Sequence, residues 1–83
     1  MKSNIRERVR ANLARQIKEL RSGVGLSQEA LAHNAGIDRT YVSQLERGIA
    51  NPSLEILHRI AAALNVSLSV KFETNEPSRK RDG

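Results

Sequence analysis

The sequence predicts an all-α domain of four or five helices that ends in either a short strand or a short fifth helix. Three observations carry this expectation. Apolar residues in the first 20 positions recur every three or four residues. Ser27, Asp38 and Ser53, residue types that cap helix N-termini, head three further segments with apolar periodicity. Gly36, Gly48 and Asn65, which tolerate the left-handed backbone that closes a helix, follow those segments in turn.

The first segment sets Ile5, Val9, Leu13, Ile17 and Leu20 in one stripe, with the arginines mostly off it. Ser3 or Asn4 caps its start, and Gly23 and Gly25 end it. A second helix opens at Ser27, carries Ala30, Leu31 and Ala32 on a short apolar side, and stops near Asn34. After Ala35, Gly36 and Ile37 the chain turns, and Asp38 caps a third helix whose Val42 and Leu45 face inward and which Gly48 terminates. Asn51 and Ser53 offer caps for a fourth helix, with Pro52 suited to its first turn. Leu54, Leu57, Ile60, Ala61 and Leu64 share its apolar face, and Asn65 ends it. Residues 67–73 alternate strictly, which favours a strand, although Leu68 and Phe72 also stand at helical spacing. The expected core is Leu13, Ile17, Leu20, Leu31, Ala32, Ile37, Val42, Leu45, Leu57, Ile60, Ala61 and Leu64. Residues 1–73 therefore read as one domain with a C-terminal dimerisation segment, and residues 74–83, polar and holding Pro77, as a disordered tail.

Eighty-three residues allow one small domain. The absence of cysteine excludes disulfides and thiolate metal sites. The charged N-terminus lacks a signal core, and no apolar run approaches the roughly 20 residues of a membrane span, so a cytoplasmic protein is expected. The net charge is +5, and residues 1–21 hold seven Lys and Arg against two Glu. Such an excess suits a polyanionic partner, though it equally suits a plain solvated surface.

The informative unit is residues 26–48, in which two short helices with polar outer faces flank a glycine turn. That is the helix-turn-helix plan, whose second helix lies in the major groove of DNA. The strings Gly25-Leu26-Ser27-Gln28-Glu29-Ala30-Leu31-Ala32, Ala35-Gly36-Ile37, Tyr41-Val42-Ser43-Gln44-Leu45-Glu46-Arg47-Gly48 and Asn51-Pro52-Ser53-Leu54 together resemble the Cro/C1-type family, also called lambda-repressor-like or XRE. The resemblance covers about residues 13–68, and residues 36–43 also resemble the recognition segment of restriction–modification controller proteins.

Arg39 and Thr40 open the third helix, where side chains reach base edges. An arginine can bond guanine O6 and N7 together, worth roughly 1–3 kcal/mol of discrimination, and a threonine offers a hydroxyl and a methyl. Ser43 and Gln44 follow one turn later on the same face, with Gln44 suited to adenine. The resemblance implies base contacts at these four positions and a phosphate contact from Gln28 at the start of the second helix. Tyr41 either packs beneath the third helix or gives its hydroxyl to a phosphate. Arg47 approaches the backbone or an outer base, and Asn51 reaches a phosphate from the loop. Arg21 and Glu46 fall where the family often has a salt bridge between the first and third helices, a structural pair rather than a reading contact. Two-fold dimers on inverted repeats are the family's solution, with the dimer surface expected after Leu64 and near Ile56.

Enzymatic readings find no support in the residues. His33 and His58 lie 25 apart on polar helix faces, and neither a nucleophile elbow nor a glycine-rich phosphate loop occurs. No metal and no cofactor is expected, and no enzyme. Arg79, Lys80 and Arg81 form either a solvated tail or a stray DNA contact. The leading reading is a homodimeric regulator of double-stranded DNA: a restriction–modification controller, a phage-type repressor or a toxin–antitoxin autoregulator. The rival class is a protein-interaction module, such as an antitoxin, in which residues 67–73 pair with a partner chain. Non-specific RNA binding is disfavoured, because stacking aromatics are nearly absent.

Overall fold

In the structure, a computed structural model describing residues 5–74, four helices run in the order α1 (Ile5–Gly23), α2 (Gln28–Ala35), α3 (Arg39–Glu46) and α4 (Leu54–Leu64). Each start and stop has a local cause. The Ser27 hydroxyl accepts from the Ala30 amide, and the Ser53 hydroxyl accepts from the Ile56 amide. These bonds satisfy first-turn donors that have no partner inside the helix. All four C-termini close by the same pair of reversed bonds. The amide of Leu26, Ile37, Ile49 or Val66 reaches back five residues to a carbonyl, and the amide before it reaches back three. At α4 the closing residue is Asn65 itself, at φ 59° and ψ 44°.

The core lies where α2 and α3 pack together, with α1 against α3 and α4 against α2. Leu31 and Val42 are fully buried at its centre, enclosed by Ile17, Leu45, Ile60 and Leu64. Complete burial of a side chain of that size stabilises the fold by about 1.5–3 kcal/mol. Leu13, Ile37 and Leu57 are half-buried, with Leu13 and Ile37 packed against the buried cluster. Ala14 and Ala35 in the helices, and Ala50 in the loop after α3, are buried too.

Several expectations are corrected. Leu20 is exposed and lines an open cleft of about 170 Å³ between α1 and α4 rather than the core. Ile5 and Val9 are exposed as well. At 1.5 Å per residue α1 is about 28 Å long and α3, against which it packs, about 12 Å, so α3 covers only part of the α1 stripe. Leu54, at the start of the α4 apolar face, is 64% exposed. Pro52 precedes the Ser53 cap instead of entering the first turn. Asp38 occupies the α3 cap position by backbone, but its carboxylate makes no capping bond. Residues 67–73 form neither strand nor helix. A strand requires a second strand to satisfy its amides and carbonyls, and the described residues contain none. Leu68 turns instead toward the cleft between α1 and α4. The expected cap at Ser3 or Asn4, Pro77 and the run Arg79-Lys80-Arg81 lie outside the described residues, as does all but Thr74 of the expected tail.

Candidate nucleic-acid interface

Three residues join α2 to α3, and Gly36 makes that turn possible. Its φ of 71° and ψ of 36° lie in the left-handed region that side chains disfavour. Ile37 then drops toward the core and its amide bonds the Ala32 carbonyl at 3.0 Å. From α4, Arg59 Nη1 donates to the Gly36 carbonyl at 3.4 Å, while Nη2 pairs with Glu55 at 3.2 Å.

The turn sets α3 with one face inward and one out. Val42 and Leu45 are buried, and Tyr41 is half-buried against the core. Arg39, Thr40 and Arg47 are exposed, and Ser43 and Gln44 are partly so. Because helix neighbours recur at three and four residues, Arg39, Ser43 and Arg47 form one row, with Thr40 and Gln44 beside it. The face carries two guanidinium groups, two hydroxyls and one carboxamide. It can therefore donate to anionic or carbonyl oxygens and meet a methyl group, and it holds no arrangement suited to nucleophilic or acid–base chemistry. The unbonded Asp38 carboxylate stands next to Arg39, a feature that its capping propensity concealed. Asn51 is exposed in the loop between α3 and α4.

Behind this face an ion pair ties three elements together. Arg21 Nε donates to Glu46 Oε2 at 2.6 Å and Arg21 Nη2 to Oε1 at 3.0 Å, a two-point contact between α1 and α3. Arg21 Nη1 also donates to the Leu26 carbonyl at 2.8 Å. The side chains are 14% and 3% exposed. Burial pushes the Glu46 carboxyl up, but the bonds from Arg21 and Gln28, with the positive charge of Arg21 and Lys18, outweigh it and hold Glu46 below the usual range. The bond to Glu46 outweighs desolvation at Arg21 and raises its guanidinium in turn. Gln28, at the first position of α2, donates from Nε2 to Glu46 Oε1 at 3.0 Å. Sequence reasoning missed this bond, because its partners lie 18 residues apart and leave no local pattern. His33 and His58 are both exposed. No group of three or more potential metal ligands occurs among the described residues. None of the described helices is long and apolar enough to cross a membrane.

A family model described as helix-turn-helix matches residues 17–71. The control protein C.MunI of a Mycoplasma species is 38% identical over 69 residues, covering 82% of this chain and 93% of that protein. The restriction-modification controller protein C.AhdI of Aeromonas hydrophila superposes with a TM-score of 0.71 at 40% identity, covering 72% of this chain and 91% of that one. A mutant of C.Esp1396I bound to its highest-affinity operator site superposes with a TM-score of 0.68 at 34% identity, covering 71% and 78%. The chain spans about half the length of several other curated relatives that it matches.

Proposed function

This chain belongs to the Cro/C1-type helix-turn-helix family of transcriptional regulators, and from that premise we propose that it is a cytoplasmic, homodimeric regulator that reads an inverted-repeat operator in double-stranded DNA with α3. The observation that carries this reading is the division of α3 into two faces. Val42 and Leu45 fix the helix to the core while Arg39, Thr40, Ser43 and Gln44 stand outward on its opposite side. Those four side chains read base edges in the major groove, Arg39 foremost. Gln28, Arg47 and Asn51 hold phosphates and set the orientation of the helix, and the Tyr41 hydroxyl adds a further backbone contact. The chain acts as a regulator and not as an enzyme.

One such domain covers one half-site, and a two-fold pair covers an inverted repeat. Exposed apolar side chains of α4 and of the segment after it support a dimer. Leu54, Val66, Leu68, Val70 and Phe72 are all exposed, and Leu54, Leu68 and Val70 line one open groove. An exposed apolar set of this kind marks a surface that another chain covers. The overlap with more than nine-tenths of C.MunI and C.AhdI favours a restriction–modification controller over a phage-type repressor or an antitoxin. Neighbouring methyltransferase and endonuclease genes are the corresponding expectation.

Selection from a random DNA pool, followed by titration at several salt concentrations, tests the reading. The expected product is an inverted repeat with half-site centres about 34 Å apart. Log affinity should fall with log salt at a slope of roughly −4 to −8, since Arg47 and the basic residues of α1 displace counterions while Gln28 and Asn51 do not. A single unrepeated site would contradict the dimer. A steep slope with no enriched sequence would mean that the charge binds DNA but α3 does not read it, and would favour the interaction-module class.

A further inference from the structure

The Glu46 carboxylate, 3% exposed, accepts three bonds at once: two from Arg21 and one from Gln28. A carboxamide has two unlike ends, and only its nitrogen end can face a carboxylate. Gln28 is therefore held in a single orientation, with one N–H on Glu46 and the other N–H and the carbonyl oxygen left over. Gln28 also occupies the first position of α2, directly after the Ser27 cap, where first-turn amides point out of the helix end.

We infer that Glu46, the last residue of α3, is a positioning residue for the phosphate contact of α2: it holds the Gln28 carboxamide so that the second N–H is presented to the DNA backbone in fixed relation to the base-reading face. The inference rests on the reading above, in which α3 enters the groove and Gln28 meets a phosphate. Glutamine is rich in rotamers, and ordering it on binding opposes association, so a side chain already ordered binds more tightly. A carboxylate so close to a phosphate contact would ordinarily repel DNA. Here the two-point bond from Arg21 balances its charge, leaving it to orient Gln28 at little electrostatic cost. The Arg21–Glu46 pair thus does more than join α1 to α3, because it also couples the backbone contact of α2 to the placement of α3.

A double-mutant cycle on operator affinity tests this, with wild type, E46Q, Q28A and the double variant compared at fixed salt after each is shown to be folded. Q28A should weaken binding at least about a hundredfold, since a hydrogen bond to a charged group is lost in each of the two half-sites. E46Q keeps the shape of the side chain but can offer either end of its amide to Gln28. It leaves the Arg21 charge unbalanced in both backgrounds, so the difference between them carries the test: E46Q should weaken binding more with Gln28 present than in the Q28A background. An equal loss from E46Q with and without Gln28, or full affinity in Q28A, would overturn the inference while leaving α3 as the reading helix. If E46Q does not fold, the Gln28 side-chain amide protons of the wild type decide by NMR. The N–H bonded to Glu46 should be protected from exchange with water while the other N–H shifts on operator binding, and a pair that is neither protected nor sensitive to DNA would overturn the inference. A wild-type chain that enriches no sequence overturns this inference and the DNA-reading proposal together.

Discussion

Replacing Arg21 with methionine separates the ion pair from the packing around it, since the methylene stem is largely kept and the charge is lost. Glu46 then remains as a carboxylate 3% exposed with one remaining donor, Gln28, and the Leu26 carbonyl loses the Arg21 Nη1 bond. Stranding one partner of a buried pair costs about 3–5 kcal/mol. Arg21 is itself 14% exposed and Gln28 stays in place, so the lower end, about 3 kcal/mol, is expected. A chain of this size has roughly 4–12 kcal/mol of stability in all. With a urea slope of about 1 kcal/mol per molar, the midpoint followed by circular dichroism should fall by about 3 M at neutral pH. The pH dependence gives a second, signed check. In the wild type the Glu46 carboxyl lies below its unfolded value, so its stabilisation is complete above the ordinary glutamate range and is lost as pH falls through the lowered value. Without Arg21 the burial that pushes Glu46 up meets less opposition, its folded value rises, and acid relieves the variant instead of harming it. The gap between the two proteins should therefore narrow as pH falls below neutrality. A gap under about 1 kcal/mol at pH 7, below the range for a stranded buried charge, would refute the reasoning, as would a gap that does not change with pH.

Leu31→Ala empties the centre of the core, where the side chain is fully buried, and should cost about 2–5 kcal/mol in urea unfolding. Gly36→Ala should cost about 1–2 kcal/mol from backbone conformation alone, because the added methyl meets only Arg59 Nη1 at an unstrained 3.6 Å; melting followed by circular dichroism reads this, and an unchanged midpoint would mean that the turn relaxes. Truncation after Val66, which keeps its bond to the Ala61 carbonyl at the α4 end, should leave the helical signal intact and weaken the dimer in sedimentation. Equal dimerisation by the shortened chain would place the interface elsewhere.

The helices were legible because their boundaries are set by local chemistry. Ser27 and Ser53 act within three residues of themselves, and Gly36, Gly48 and Asn65 act through their own backbone angles. The outward face of α3 was legible from the three- and four-residue spacing that also buries Val42 and Leu45. What escaped depends on partners distant in the chain. The alternation of residues 67–73 describes a strand only if another strand lies beside it, and hydropathy says nothing of that. Ala14, Ala35 and the loop residue Ala50 are buried by elements distant in the chain, although alanine has little hydropathic contrast with a surface position. The stripe of α1 runs on through Ile5 and Val9 past the helices that would cover it. The bond from Gln28 to Glu46 joins residues whose separation follows from the packing of α2 on α3.

If α3 reads the operator sequence, Arg39 at its exposed start is the side chain that contributes most. Repeating the DNA selection with Arg39→Ala tests it most directly, because Arg39 is exposed and its removal leaves the core untouched. The expected outcome is a folded dimer that loses roughly 1–3 kcal/mol of operator affinity and its preference at one base pair in each half-site, with every other position of the inverted repeat retained. The same sequence enriched with unchanged affinity, or a uniform loss on all DNA, would contradict it.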